Sequence, residues 1–172
     1  MDATQNEIVV KKVAEDADLI FHTTIAGSPF GILKNGKEAK LQDKEECAGF
    51  IAACSRAWRE NIPTDVFCVE KNQVSKTAPS GEYVAHGSFI IKGEKEVFKN
   101  IWPEMRIGYN EEGVIAGPSE LIKNKCTESV LIKPGNISPG KVAKRLMSLF
   151  EKKDFRSEDF LHFIPGDSMI EY

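Results

Sequence analysis

Hydrophobic and polar positions follow helical spacing in some stretches and strand spacing in others. Residues 4–14 place Ile8, Val9 and Val13 near one side and predict a short helix, with Asp2 or Thr4 as its cap. Residues 18–23 predict a strand, and Gly27, Ser28 and Pro29 a turn. A second strand over 30–34 ends at Asn35-Gly36, a strong turn pair. The clearest helix spans 43–60, capped by Asp43, with Cys47, Phe50, Ile51, Cys54, Ala57 and Trp58 at the spacing of one buried face. Pro63 stops it, and residues 66–70 read as a strand.

Residues 71–87 have neither period. Pro79, Gly81 and Gly87 lie among small polar residues, so the stretch reads as a long loop, a feature that is usually either functional or disordered. Segments 88–93 and 96–101 flank Gly93-Glu94 and predict a hairpin; segments 106–109 and 114–116 predict another around 110–113. A short helix over 118–125, a strand over 130–133, a helix over 138–152 opened by Ser138-Pro139, and a last helical turn over 157–163 complete the chain. This order predicts an α+β fold: a mixed, mainly antiparallel sheet with helices packed on it. No internal repeat or linker divides residues 1–172, so one domain is expected.

Composition narrows the function. Of 172 residues, 41% are hydrophobic and 28% charged, which fits a folded globular chain. No apolar run approaches a membrane span and the first residues lack a secretory core, so a cytoplasmic protein without membrane partners is expected. The four cysteines and three histidines show no metal-ligand spacing; free thiols, no metal and no cofactor are expected, with Cys47 and Cys54 in the core. The net charge of −3 means that any nucleic-acid binding relies on a local patch.

No phosphate-loop, dinucleotide-binding or nucleophile-elbow pattern is present, and a Cys54–His22 pair is outweighed by the apolar setting of Cys54, so no enzyme is expected. The loop and the segment after it stand out instead. Between Lys71 and Lys99 five lysines face three glutamates in a chain that is acidic overall. Gln73, Ser75, Lys76, Thr77, Ser80 and Tyr83 add donors and an aromatic ring, the mixture that holds phosphates and stacks on bases. A solvated loop packed under a hairpin is the equally weighted alternative, and His22 reads more simply as a structural histidine.

The ordered run from Gln73 to Gly93, Gln-Val-Ser-Lys-x-x-Pro-Ser-Gly-Glu-Tyr through Gly-Ser-Phe-Ile-Ile-Lys-Gly, resembles the signature of NFACT-R domains. Asp2 to Glu7, Asp18 to His22, Gly27 to Pro29, Ile32 to Asn35 and the helix from Ala48 to Trp58 are similar to further blocks of that family, as are Gly117-Pro118 and Pro134-Gly135. Ala26 stands where a second histidine is common. The resemblance implies a non-enzymatic module that binds tRNA or ribosomal RNA in or beside ribosome-associated quality control. It points to Gln73, Ser75, Lys76, Thr77, Ser80, Tyr83, Lys92 and Lys95 as contacts, with His22, Lys34 and Asn35 nearby. The alternatives are an adaptor docking on an NFACT-type partner protein or the ribosome, and a DNA-binding module. The chain is expected to be a stand-alone form, without the family's preceding hairpin, large N-terminal domain and coiled coil.

Overall fold

A computed structural model of the chain describes residues 3–77, 84, 87–150 and 154–172. The N-terminal helix α1 (Ala3–Ile8) runs into a π-helical turn (Val9–Val13). Strands β1 (Leu19–Thr23), β2 (Gly31–Leu33), β3 (Thr64–Glu70) and β6 (Glu96–Ile101) form an antiparallel sheet in the order β2-β1-β3-β6. Side chains alternate across it. Leu19, Phe21, Val66, Cys68 and Phe98 pack with Cys47, Ala48, Ile51 and Ala52 of helix α2 (Leu41–Ala53). Ile20, Phe67 and Val69 face the other way, toward Val10, Ala14 and Phe30. Both faces are covered, which is why β1 and β3 read as continuous apolar runs rather than strict alternation.

The second sheet has the order β10-β9-β7-β8, from β7 (Met105–Asn110), β8 (Gly113–Gly117), β9 (Glu128–Ile137) and β10 (Ser168–Glu171). Helices α5 (Pro139–Leu149) and α6 (Ser157–Leu161) supply Val142, Leu146 and Phe160 to its core, which Trp58 of helix α3 (Arg56–Glu60) also enters. Helix α4 (Ser119–Lys125) follows β8 directly. The architecture is α+β, as the element order predicts.

Several local expectations are corrected. The 43–60 helix is two helices, because Ser55 breaks it: its Oγ accepts from Ala57 N at 3.1 Å and donates to Ala52 O at 2.7 Å, a helix cap. Cys54, at that break, is therefore exposed rather than in the core, while Cys47 is buried; all four cysteines are free. Helix α2 starts at Leu41, so Asp43 lies one turn inside and accepts Lys40 N at 3.1 Å. Strand β9 continues through Pro134 because β7 has ended by then: Met105 opposes Ile132, and Pro134 pairs only with Ser168 of β10, a strand that no spacing predicts.

The expected 88–101 hairpin does not form. Strand β5 (Ile90–Ile91) pairs instead with β4 (Val74–Ser75), while β6 joins the edge of β3. The long stretch after β3 is thus not structureless at its start: a 3-10 turn (Lys71–Gln73) and β4 organise it.

Candidate nucleic-acid interface

Gln73 decides where β5 goes. Its backbone O accepts Lys92 N at 2.8 Å, extending the β4–β5 ladder by one rung. Its side-chain Nε2 donates to Lys92 O at 2.9 Å and Glu94 O at 2.7 Å, and its Oε1 accepts Glu70 N at 2.8 Å. Both amide protons are spent on backbone. Gly93, at φ +78°, completes the bend; a Cβ there would meet Gln73 Nε2 at 3.3 Å. The clamp leaves Lys92 and Lys95 exposed on either side of the turn.

Four rings then join the loop to the sheet. Phe89 meets Phe30 edge-on at 5.4 Å, Phe30 meets His22 at 4.4 Å, and His22 lies 5.8 Å from Phe67. An ammonium sits over each end of this row: Lys76 Nζ 4.8 Å from the Phe89 centroid, and Lys95 Nζ 4.4 Å from that of Phe67. Such contacts contribute about 0.5–1 kcal/mol each where water has access, and they hold flexible side chains in place. Lys76, Lys95 and His22, scattered in sequence, are brought to one face this way.

His22 serves that row as a structural group. One ring nitrogen, Nε2, bonds Ser28 O at 3.0 Å. Burial pushes its pKa down, the Ser28 carbonyl opposes this, and the nearby Lys95 charge pushes it further down. Its imidazole is therefore neutral at pH 7 and adds no positive charge.

The N-terminal motif pins the same region. Asn6 is buried; its Nδ2 donates to Ser28 O at 3.4 Å and its Oδ1 accepts Phe30 N at 3.3 Å. Glu7 accepts Lys76 Nζ at 2.6 Å, Lys11 Nζ at 3.1 Å and Gly87 N at 3.2 Å. The Lys76 bond, then those of Gly87 and Lys11, lower the Glu7 pKa from 4.5 to about 2. A depressed carboxylate contributes stability that is complete above its ordinary value and lost as pH falls toward the folded one. The melting-temperature gap between the parent and Glu7→Gln is thus expected to stay constant above about pH 4.5 and close toward about pH 2. A gap independent of pH would show that the carboxylate charge is not what joins α1 to the loop.

Ser75 turns inward on the loop, its Oγ accepting Thr77 N at 3.0 Å. Thr77 is exposed. Ser80 and Tyr83 lie outside the described residues. Lys34 and Asn35 belong to a different cluster. Lys34 Nζ bonds Asp18 Oδ2 at 2.7 Å and Glu15 at 3.1 Å, and Asn35, at φ 52°, donates its N–H to Asp18 Oδ1 at 2.9 Å. Asp18 is fully buried; burial raises its pKa, but Lys34 and the N–H groups of Glu15 and Asn35 outweigh that and leave it lowered. This cluster sits at the opposite end of β1 from His22, about 13 Å away at strand rise. Sequence reasoning singled out none of Asn6, Glu7, Asp18 and Ser28 individually. The signal was the blocks containing them, since isolated polar residues beside apolar runs mark buried anchors.

Among the described residues no group of three or more His, Cys, Asp or Glu is placed to hold a metal. Burial pushes the Cys47 thiol up to about 12, and burial together with the Glu96 carboxylate pushes the Cys68 thiol up to about 12, so both stay protonated at neutral pH. No helix among the described residues is long and apolar enough to cross a membrane.

The family model described as the NFACT protein RNA binding domain matches residues 1–93. The chain belongs to that family. The NFACT-R match spans the N-terminal helix, strands β1 to β5 and the ring row, and ends before β6. The archaeal Rqc2 homolog aRqcH of Methanocaldococcus jannaschii is 37% identical over 170 residues, covering 95% of this chain and 25% of that protein. The ribosome quality control complex subunit NEMF homolog of Drosophila melanogaster is 40% identical over 96 residues, 55% of this chain and 10% of the relative. Human NEMF is 40% identical over 97 residues, 55% of this chain and 9% of the relative. The chain thus spans a quarter or less of the length of these relatives.

Proposed function

We propose that this NFACT-R chain is a non-enzymatic cytoplasmic module that binds structured RNA, either tRNA or ribosomal RNA. It would do so in or beside ribosome-associated quality control of translation. The observation that carries the reading is the ring row, which fixes Lys76 and Lys95 on one face with Lys92 on the adjoining turn. Ammonium groups held in place lose less side-chain freedom when they meet phosphates, so the patch works despite the acidic net charge. The family description and the names of the relatives support the RNA and the process. Lys92 and Lys95 are the principal phosphate contacts and Lys76 a weaker one, because Glu7 already pairs with it. Thr77 adds an exposed hydroxyl braced by the Ser75 Oγ, and Ser80 and Tyr83 belong to the same loop in sequence. Gln73, His22, Lys34 and Asn35 hold the frame rather than the ligand.

The test is binding of unmodified tRNA, followed by fluorescence anisotropy as salt rises. With about three phosphates neutralised, log affinity is expected to fall against log salt with a slope of about −2 to −3. Duplex DNA of equal charge should bind more weakly. A chain that ignores both tRNA and a structured ribosomal RNA fragment at about 50 mM salt, where phosphate contacts are strongest, would not be an RNA-binding module. Equal binding of duplex DNA would move the reading to a general nucleic-acid binder.

A further inference from the structure

Strand β2 is the terminal strand of the first sheet and, among the described residues, pairs only with β1. Beside it runs a groove of about 610 Å³ between β2, helix α2 and the start of helix α4. Leu33, Phe50, Ile51 and Leu121 make its floor and wall apolar, and Leu121 is 46% exposed. Its rim carries Glu38, Asp43 and Glu46. Among the described residues the one cation lining it, Lys34, is already paired with Asp18 and Glu15. The acidic character continues past Glu46 into a second hollow of about 460 Å³, where Glu45, Glu104 and Glu120 surround Trp102, which is 55% exposed. Among the described residues no lysine or arginine lines this second hollow.

We propose that this groove docks an extended, lysine- or arginine-rich segment of a partner protein, which adds to β2 as the next strand. Unpaired backbone groups at a sheet edge accept another strand, and alternate side chains of that strand fall into the groove or outward. Apolar side chains of the segment rest on Leu33 and Leu121. Its basic side chains meet Glu38 and Glu46, and one reaching the second hollow gains the face of Trp102 as well as carboxylates. The charge excludes RNA here, since a phosphate backbone meets carboxylates along the whole rim. β2 has only three residues, so the ladder is short and the side-chain groove supplies most of the selectivity. This surface is independent of the lysine face: either can fail while the other stands.

The probe is a short fluorescent peptide alternating lysine with valine and leucine, titrated against the whole chain. Its counterparts carry glutamate for lysine, or N-methyl groups on alternate amides. The lysine peptide is expected to bind, with an affinity that falls as salt rises. The glutamate and N-methylated peptides should bind at least about tenfold more weakly, the first from charge and the second from lost strand pairing. Glu38→Lys with Leu121→Lys, both at exposed positions, should lower affinity for the lysine peptide by a similar factor without weakening tRNA binding. Equal binding of the lysine and glutamate peptides, or of the methylated peptide, overturns the proposal. So does an unchanged affinity in the double variant, provided that its thermal unfolding matches the parent.

Discussion

Replacing Lys92 and Lys95 together by alanine is expected to weaken tRNA binding by about tenfold or more near 0.1 M salt. The salt slope should flatten by about 1.5, because two phosphate contacts disappear at roughly 0.7–0.9 each. Both side chains are exposed and form no ion pair among the described residues, so their charge is available to a ligand. Lys95 also covers Phe67. Some packing is lost with it, and thermal unfolding of the variant separates that loss from the change in binding. Lys76→Ala alone should cost less than about threefold, because its charge is spent on Glu7 at 2.6 Å. The order matters more than any single value. If Lys76→Ala weakened binding more than the Lys92 and Lys95 pair, the phosphate path would follow the loop rather than the turn.

The largest effect on stability is expected from Trp58→Ala, at about 3–5 kcal/mol in chemical denaturation. Trp58 is 1% exposed and sits among the core of the second sheet. Its Nε1 donates to Asp167 O at 3.1 Å, and Gly166 lies against the ring, where a Cβ would come within 3.2 Å of Cδ1. The residue therefore ties helix α3 to the segment that leads into β10. Trp58→Phe keeps much of the packing but leaves the Asp167 carbonyl without its donor, and should cost about 1–3 kcal/mol. Equal losses in the two variants would show that the hydrogen bond, not the volume, dominates.

The two sets of residues differ in how well the sequence disclosed them. Local chemistry announced helix ends and tight turns, because a cap or a turn is decided within a few residues. Ser138-Pro139 opens α5, Gly-Pro precedes α4, and Asn110 to Gly113 turns β7 into β8. The helical spacing from Cys47 to Trp58 predicted one continuous helix, but Ser55 caps its own turn and stops it. Periodicity there reflected two helices that bury faces against different sheets.

Strand partners were beyond local reading. Residues 88–101 contain two strand segments around a glycine, and proximity favours a hairpin. The side chain of Gln73 takes the carbonyls of Lys92 and Glu94, and the vacant edge of β3 takes β6. The Gln73 bonds cross 19 and 21 residues of chain, and the β3–β6 pairs, from Cys68 with Glu96 to Thr64 with Ile101, lie farther apart still, so neither is visible to any window of spacing. β10 escaped for the same reason: four residues after a Pro-Gly turn become a strand only because β9 offers an open edge.

The sequence by itself determined the α+β class, the family through its ordered Gln73–Gly93 run, and the lysine excess in and after the loop. These are properties of residue type and order along the chain. Only the tertiary structure decided which predicted contacts share a face. The rings of Phe89, Phe30, His22 and Phe67 gather Lys76 and Lys95, while buried Asp18 draws Lys34 and Asn35 into a separate cluster. The physical reason is that a lysine's freedom to meet a ligand depends on which anion or ring already holds it, and that partner lies far away in sequence.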